Sequence, residues 1–251
     1  MSNQYVKLIN NLELLGLTEI KNELSNIIER INRNEIDFTE GLWELTEKEI
    51  KMKAARAKVA IIKVANFPYQ KTFDDFDFSF QPSINKAQIK DFCTLRFMAN
   101  NENILFIGTP GTGKTHLATS IGLEATRNSK STYFITCKEL VWQLKRARNE
   151  NTLERRLKHF YSYSLLIIDE LGHDVLEEDE ANDLFQLLQM RYEKHSTIIT
   201  TNYNISQWNT IFKNSKTSLD ATLDRLLHHS NLVTINGPSY RLKDISEYLI
   251  E

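Results

Sequence analysis

The chain has little of several things that would narrow its class at once. Two cysteines, Cys93 and Cys137, in 251 residues exclude a disulfide framework and cannot by themselves complete a metal site. Only four prolines occur, and no stretch repeats or is low in complexity, which argues against a fibrous or disordered chain. No apolar run approaches the ~20 residues of a membrane span. The opening MSNQYVKLIN lacks the basic and apolar regions of a signal peptide, so the cytoplasm is the expected compartment. Charge of one sign is missing too: 31 Lys and Arg against 33 Asp and Glu leave a net −2. Coating nucleic acid by bulk positive charge is therefore excluded, whereas a local basic face is not. With 41% hydrophobic residues, the chain can bury a sizeable core.

Glycine is scarce, eight in all, yet Gly108, Gly111 and Gly113 fall within six residues. The stretch Gly108-Thr109-Pro110-Gly111-Thr112-Gly113-Lys114-Thr115 matches G-x-x-x-x-G-K-[ST] in full. Glycines let the backbone curl so that N–H groups converge on phosphate. Lys114 suits the β- and γ-phosphates, the Thr115 hydroxyl suits Mg²⁺, and the following helix adds its positive end. A short buried strand before the motif, 103–107, and a helix from His116 onward supply the strand–loop–helix context. Nucleotide binding follows.

Residues 5–70 read as helical, with Ile20, Leu24, Ile27, Ile28 and Ile31 at helical spacing behind Thr18 as N-cap. Gly16 and Asn32-Arg33-Asn34 look like breaks. A longer helix, about 39–65, is two-faced: Ile50, Ala54, Ala57, Ile61 and Val64 share one side, and Lys48, Lys51, Arg56, Lys58 and Lys63 the other. Residues 48–71 hold seven basic residues and one acid, Glu49. After Phe67-Pro68 and an aromatic–acidic linker, 73–78, helices alternate with strands at 103–107, 131–136, 164–168, 196–201 and 231–235. That order predicts an α/β core with a five-stranded parallel sheet over residues 73–251, behind a small all-helical domain over residues 1–72.

Ser164-Leu-Leu-Ile-Ile-Asp169-Glu170 reads as a central buried strand ending in two acids, at the end where such sheets bind ligands. Asp169 is expected to hold Mg²⁺, and Glu170 to polarise an attacking water. The second acid favours a hydrolase over a P-loop small-molecule kinase. Asn202, closing the neighbouring strand, could touch the γ-phosphate or simply make a turn. Arg225, in a helical stretch read from Leu219, could be an arginine finger or the partner of Asp224 or Asp220. His228-His229 lacks partners at zinc spacing. The acids Asp174, Glu177, Glu178, Asp179, Glu180 and Asp183 read as a solvated helix start. A second basic stretch, Lys145, Arg146, Arg148, Arg155, Arg156 and Lys158, surrounds a helix with Trp142. Two basic stretches in a near-neutral chain mean segregated charge, on a solvated face or a nucleic-acid contact.

Taken together, Phe73-Asp-Asp-Phe-Asp-Phe78, Gly108 through Ala118, Leu165 through Glu170, Thr200-Thr-Asn202, Leu223 through His229, Asn236 through Arg241 and Leu14-Leu-Gly-Leu-Thr18 resemble the IstB-like transposition helper ATPases. These are AAA+ proteins related to the DnaC-like helicase loaders. The resemblance implies a Mg²⁺-dependent ATPase that assembles as a homo-oligomer on duplex DNA, largely without sequence preference, and stimulates an IstA-like transposase. It adds Phe73, Phe76 and His116 to the nucleotide contacts and makes Arg225 a finger at subunit interfaces. Lys48, Lys51, Arg56, Lys58, Lys145, Arg146 and Arg148 become candidate DNA contacts. Arg241 could be a second nucleotide sensor. The chain runs only ten residues past it, which implies no C-terminal lid domain and leaves that role open. A helicase loader of the same fold is the nearest rival, and a small-molecule kinase the rival of another class.

Overall fold

The computed structural model describes residues 3–208, 212 and 223–243, apart from the Lys58 side chain. The chain divides into two compact units, residues 1–60 and 61–251. Among the described residues no helix is long and apolar enough to cross a membrane.

The first unit holds α1 (Asn3–Leu14), α2 (Thr18–Asn32) and most of α3 (Phe38–Val64). Leu12, Ile20, Ile27 and Leu45 form its core, and both expected breaks fall between helices. Two expectations are corrected. Thr18 is not the N-cap of α2: the helix starts at Thr18 itself, and no side chain of its own caps it. Instead Glu49, on α3, accepts from the main-chain N–H groups of Glu19 and Ile20 at 2.7 and 3.1 Å. A carboxylate at a helix start satisfies orphan donors and meets the positive dipole end together. The apolar side read on α3 is also not buried, since Ile50 is 62% and Val64 60% exposed. The face that packs on α2 carries Leu45 and Glu49.

The second unit contains β1 (Asn103–Gly108), β2 (Thr132–Thr136), β3 (Leu165–Leu171), β4 (Ser196–Thr201) and β5 (Ser230–Ile235). They form one sheet in the order β2-β3-β4-β1-β5, with every pairing parallel. Alternate side chains serve opposite faces. Ile104, Phe106, Leu165, Ile167 and Ile198 face α4 (Lys86–Cys93) and α6 (Lys114–Arg127). Leu105, Ile107, Leu166, Ile168 and Ile199 face α7 (Cys137–Asn149), α8 (Leu153–Tyr161) and α9 (Glu178–Arg191). Both faces are covered, which is why the strands read as unbroken aliphatic runs. The acids do open α9, with Glu177 and Glu180 forming a capping box, but Asp183 is buried within the helix rather than solvated. Residues 223–228 are helical, whereas Leu219 to Thr222 lie outside the described residues.

The division also falls earlier than the expected boundary at 72/73. Phe134 N donates to Ala65 O at 2.8 Å and Asn66 Nδ2 donates to Phe134 O at 3.1 Å. These bonds occupy the free edge of β2 and tie the segment after α3 to the sheet.

Replacing Glu49 by alanine should destabilise the helical unit by about 1–2 kcal/mol, the scale of a lost cap. Thr18→Ala should cost about 0.5 kcal/mol or less, as a substitution away from any cap does. Hydrogen exchange at the first turn of α2 reads both. A larger effect from Thr18 would return the cap to that residue.

Candidate functional site

The phosphate loop joins β1 to α6 where the sheet's C-terminal edge opens. Gly113 sits at φ +98° with the Phe76 ring edge only 2.5 Å from where a Cβ would stand. Gly111, at φ +81°, is overlain by Ser239, and its carbonyl accepts from Tyr240 N at 2.9 Å. Neither position admits a side chain, because both the backbone conformation and the space exclude one. The loop is thus clasped between the 73–78 linker and the segment after β5.

Lys114, the first residue of α6, is buried, and its ammonium donates to the carbonyls of Gly108 and Thr109 at 2.7 and 2.8 Å. Burial pushes its pKa down to about 8, against the pull of Asp169. Asp169 is 4% exposed. Thr200 Oγ1 donates to its Oδ1 at 2.5 Å, and Thr115 Oγ1 lies 3.0 and 3.1 Å from its two oxygens. Burial raises the Asp169 pKa while these hydroxyls oppose the rise. The expected Thr115–Asp169 pair therefore meets, as a Mg²⁺ site requires. Two oxygen donors beside a buried lysine, at the start of a helix, fit a hard cation carried with nucleotide phosphates.

Glu170 is exposed at φ +60° and faces a cleft of about 310 Å³. Asn202, Phe76, His116 and residues 110–115 line the same cleft. Thr112 Oγ1 closes the loop on Thr109 O at 2.8 Å. His116 Nε2 lies 2.8 Å from Thr72 O, and burial lowers its pKa. Phe73 does not line the cleft; its ring lies 5.1 Å from Phe78 and buttresses the linker. Tyr69 and Gln81, which no motif marked, also line it, together with Thr200 and Arg241. Thr200 was visible only as part of Thr200-Thr-Asn202, since its pairing needs three-dimensional register.

Arg225 stands elsewhere. It lies with Asn103 and Thr197, at the beginnings of β1 and β4, so it is at the opposite end of the sheet from its own phosphate loop. It makes no ion pair with Asp224 among the described residues, and Asp220 lies outside them.

The basic candidates are mostly engaged with acids. Lys48 pairs with Glu23 at 2.6 Å, and Lys51 and Arg56 lie 3.8 Å from Glu47 and Glu19. Lys145 meets Glu180 and Arg146 meets Glu150, each at 2.8 Å, while Arg148 Nε meets Asp183 at 2.9 Å. The Lys58 side chain lies outside the described residues. Arg155 and Arg156 form no ion pair among the described residues. Arg156 shares a shallow groove with Arg146 and the 53%-exposed Trp142.

Residues 8–248 match the family model described as IstB-like ATP binding protein. The ATP-binding protein named for insertion sequence IS232 of Bacillus thuringiensis subsp. berliner is 49% identical over 244 residues, covering 97% of each chain. That of IS21 from Pseudomonas aeruginosa is 35% identical over 233 residues, covering 93% of this chain and 88% of its own. Among solved structures, AMPPCP-bound DnaA from Aquifex aeolicus aligns with a TM-score of 0.58 at 20% identity, over 74% of this chain and 56% of that one. A DnaC helicase loader aligns at 0.50 and 26% identity, over 60% of this chain and 88% of that one. The core is an AAA+ P-loop fold.

Because Lys114 titrates near pH 8 without nucleotide, a bound phosphate should restore its charge. ATP binding near pH 8 should then take up part of a proton, and affinity should fall as pH rises from about 7 to 9. Calorimetry in buffers of different ionisation enthalpy measures that proton. Binding heats independent of the buffer would contradict the assignment.

Proposed function

The chain belongs to the IstB-like ATP-binding proteins, and from that premise we propose that it hydrolyses ATP, assembles on duplex DNA and activates the transposase of its insertion sequence. The carrying observation is that Lys114, Thr115 and Glu170 line one cleft, with the buried Asp169 bonded to Thr115. Lys114 and the loop N–H groups hold the phosphates. Thr115 and Asp169 would hold Mg²⁺, which when bound offsets charge between the β- and γ-phosphates. Glu170 takes a proton from the attacking water as the γ-phosphate is displaced from the ADP oxygen. Asn202 lines the same cleft and can orient that water.

Relatives named for insertion sequences across nearly their whole length support a transposase as partner, rather than a replicative helicase. For DNA, the α3 cations and the Arg155–Arg156 pair offer contacts to phosphates rather than base edges, so binding is largely sequence-independent. Arg225 completes the ATP site of a neighbouring subunit, since it lies at the far end of the sheet from its own. Hydrolysis then reports assembly.

The ATPase rate measured without DNA, with duplex and with single strands tests the reading. Duplex should stimulate most; stimulation by single strands alone would point to a helicase loader. Glu170→Gln should bind ATP yet lose about 10²-fold or more in turnover, whereas Lys114→Ala should lose tight binding. Equal ATP affinity of the Lys114 variant and wild type would remove the phosphate site.

Arg225→Ala should keep ATP binding and lose DNA-stimulated hydrolysis, by ~10³-fold or more if it behaves as other arginine fingers do. Mixing it with Lys114→Ala should restore part of the rate, because some interfaces then pair an intact loop with an intact Arg225. Co-assembly without any recovery would assign Arg225 a structural role.

A further inference from the structure

The end of β3 departs from its neighbour's register. Pairing runs Ile168 with Ile199 and resumes with Leu171 opposite Thr201. Asp169 and Glu170 together therefore oppose a single residue, Thr200. This is a two-for-one β-bulge, a device that re-aims side chains where a strand would alternate them. Glu170 adopts φ +60° within it, a conformation that a non-glycine residue keeps only when its surroundings enforce it.

His173 N donates to the Glu170 carbonyl at 3.2 Å, and the Thr200 hydroxyl holds the other side of that residue's main chain. The bulge takes the Glu170 N–H out of the ladder, and Thr200 Oγ1 accepts it at 3.0 Å. The same hydroxyl donates its proton to Asp169 Oδ1 at 2.5 Å. One fully buried oxygen thus holds the backbone of one acid and the carboxylate of the other. Directionality is fixed, because a single O–H proton given to Asp169 leaves only lone pairs to face the Glu170 N–H.

We propose that Thr200 is a positioning residue, whose hydroxyl fastens the Asp169–Glu170 bulge and so keeps the Glu170 carboxylate turned to the cleft for hydrolysis. The proposal rests on the hydrolytic reading of Glu170. It gives the Thr200-Thr-Asn202 run two separate tasks: Thr200 shapes the bulge, and Asn202 faces the nucleotide. Thr201 serves as an internal control, since its hydroxyl donates to Leu171 O at 2.8 Å and does not touch Glu170.

Thr200→Val keeps shape and volume while leaving the Glu170 N–H without a partner. Its kcat should fall about 10- to 100-fold while ATP affinity stays within about threefold, a loss confined to turnover. Thr200→Ser, which retains the hydroxyl, should stay within about threefold of wild type, as should Thr201→Val despite losing a buried hydrogen bond. In the Glu170→Gln background, Thr200→Val should lower the residual rate by clearly less than it lowers the wild-type rate, because the two changes share their effect on Glu170 and only the Asp169 bond remains to be lost. Independent multiplication of the two losses would overturn the proposal, and so would a Thr200→Val variant that turns over like wild type. If Thr200→Val does not fold, Thr200→Ala takes its place under the same criteria. A folded Thr200→Ser variant that loses more than about tenfold would overturn the hydroxyl's role. Wild type that binds ATP without turnover under any DNA condition defeats the hydrolytic reading and this proposal with it. Turnover in wild type with no dependence on Thr200 defeats the positioning role alone.

Discussion

The second unit depends on keeping a carboxylate at the end of a strand that is otherwise aliphatic and buried. Asp169 is 4% exposed, and an ion in such a place is costly unless it is paired and hydrogen-bonded. Its partners come from two other elements: Thr115 from the start of α6 and Thr200 from β4. Lys114 is buried nearby, and the two opposite charges each counter the desolvation of the other. Satisfying one carboxylate therefore locks the phosphate loop, the bulge and the end of β4 into a single arrangement. The clasp of Phe76 over Gly113 and Ser239 over Gly111 then shapes the cleft around it.

Surface charge follows a different logic. The acids that open α9 and the basic side of α7 look like separate runs in sequence, but Lys145–Glu180 and Arg148–Asp183 join them into one interaction. Exposed lysines paired in this way hold their partners only weakly, so a phosphate can compete for Lys145. Arg148 differs, because the Asp183 side chain is 2% exposed. Drawing Arg148 away would leave a buried carboxylate alone, which costs far more than the pair yields. Positive charge open to a polyanion on this side sits at Arg155 and Arg156 instead.

Local patterns made much of this legible. The five strands, the loop and both acids follow from aliphatic runs, clustered glycines and the residues at strand ends. What stayed hidden depends on contacts between distant segments. Thr18 has the chemistry of a cap, yet Glu49, thirty residues beyond Glu19, takes that role because α3 folds back on α2. Ile50 and Val64 show helical periodicity, but periodicity cannot say which turns of α3 find a partner. Phe73 and Phe76 share one aromatic motif, and only packing separates the ring that lines the cleft from the ring that supports it. Thr200 is the sharpest case. A threonine in a strand is ordinary, and its importance arises from a register shift in the strand beside it.

The position of Arg225 constrains assembly more than its chemistry does. The phosphate loop opens at the C-terminal ends of the strands, while Arg225 stands by the N-terminal ends of β1 and β4. If one subunit's arginine completes another's cleft, two different surfaces meet, and the pair still presents one free copy of each. Such a contact is heterologous and cannot be satisfied by a two-fold dimer alone. It either closes into a ring or continues as a helical filament, depending on the rotation between subunits. A duplex is itself a helix with a repeating phosphate pattern, so a filament can follow it, with each added subunit completing the ATP site of the one before. Hydrolysis would then be slow at the terminal subunit and fast within the run, which makes the length of the assembly on DNA the quantity that ATP turnover reads.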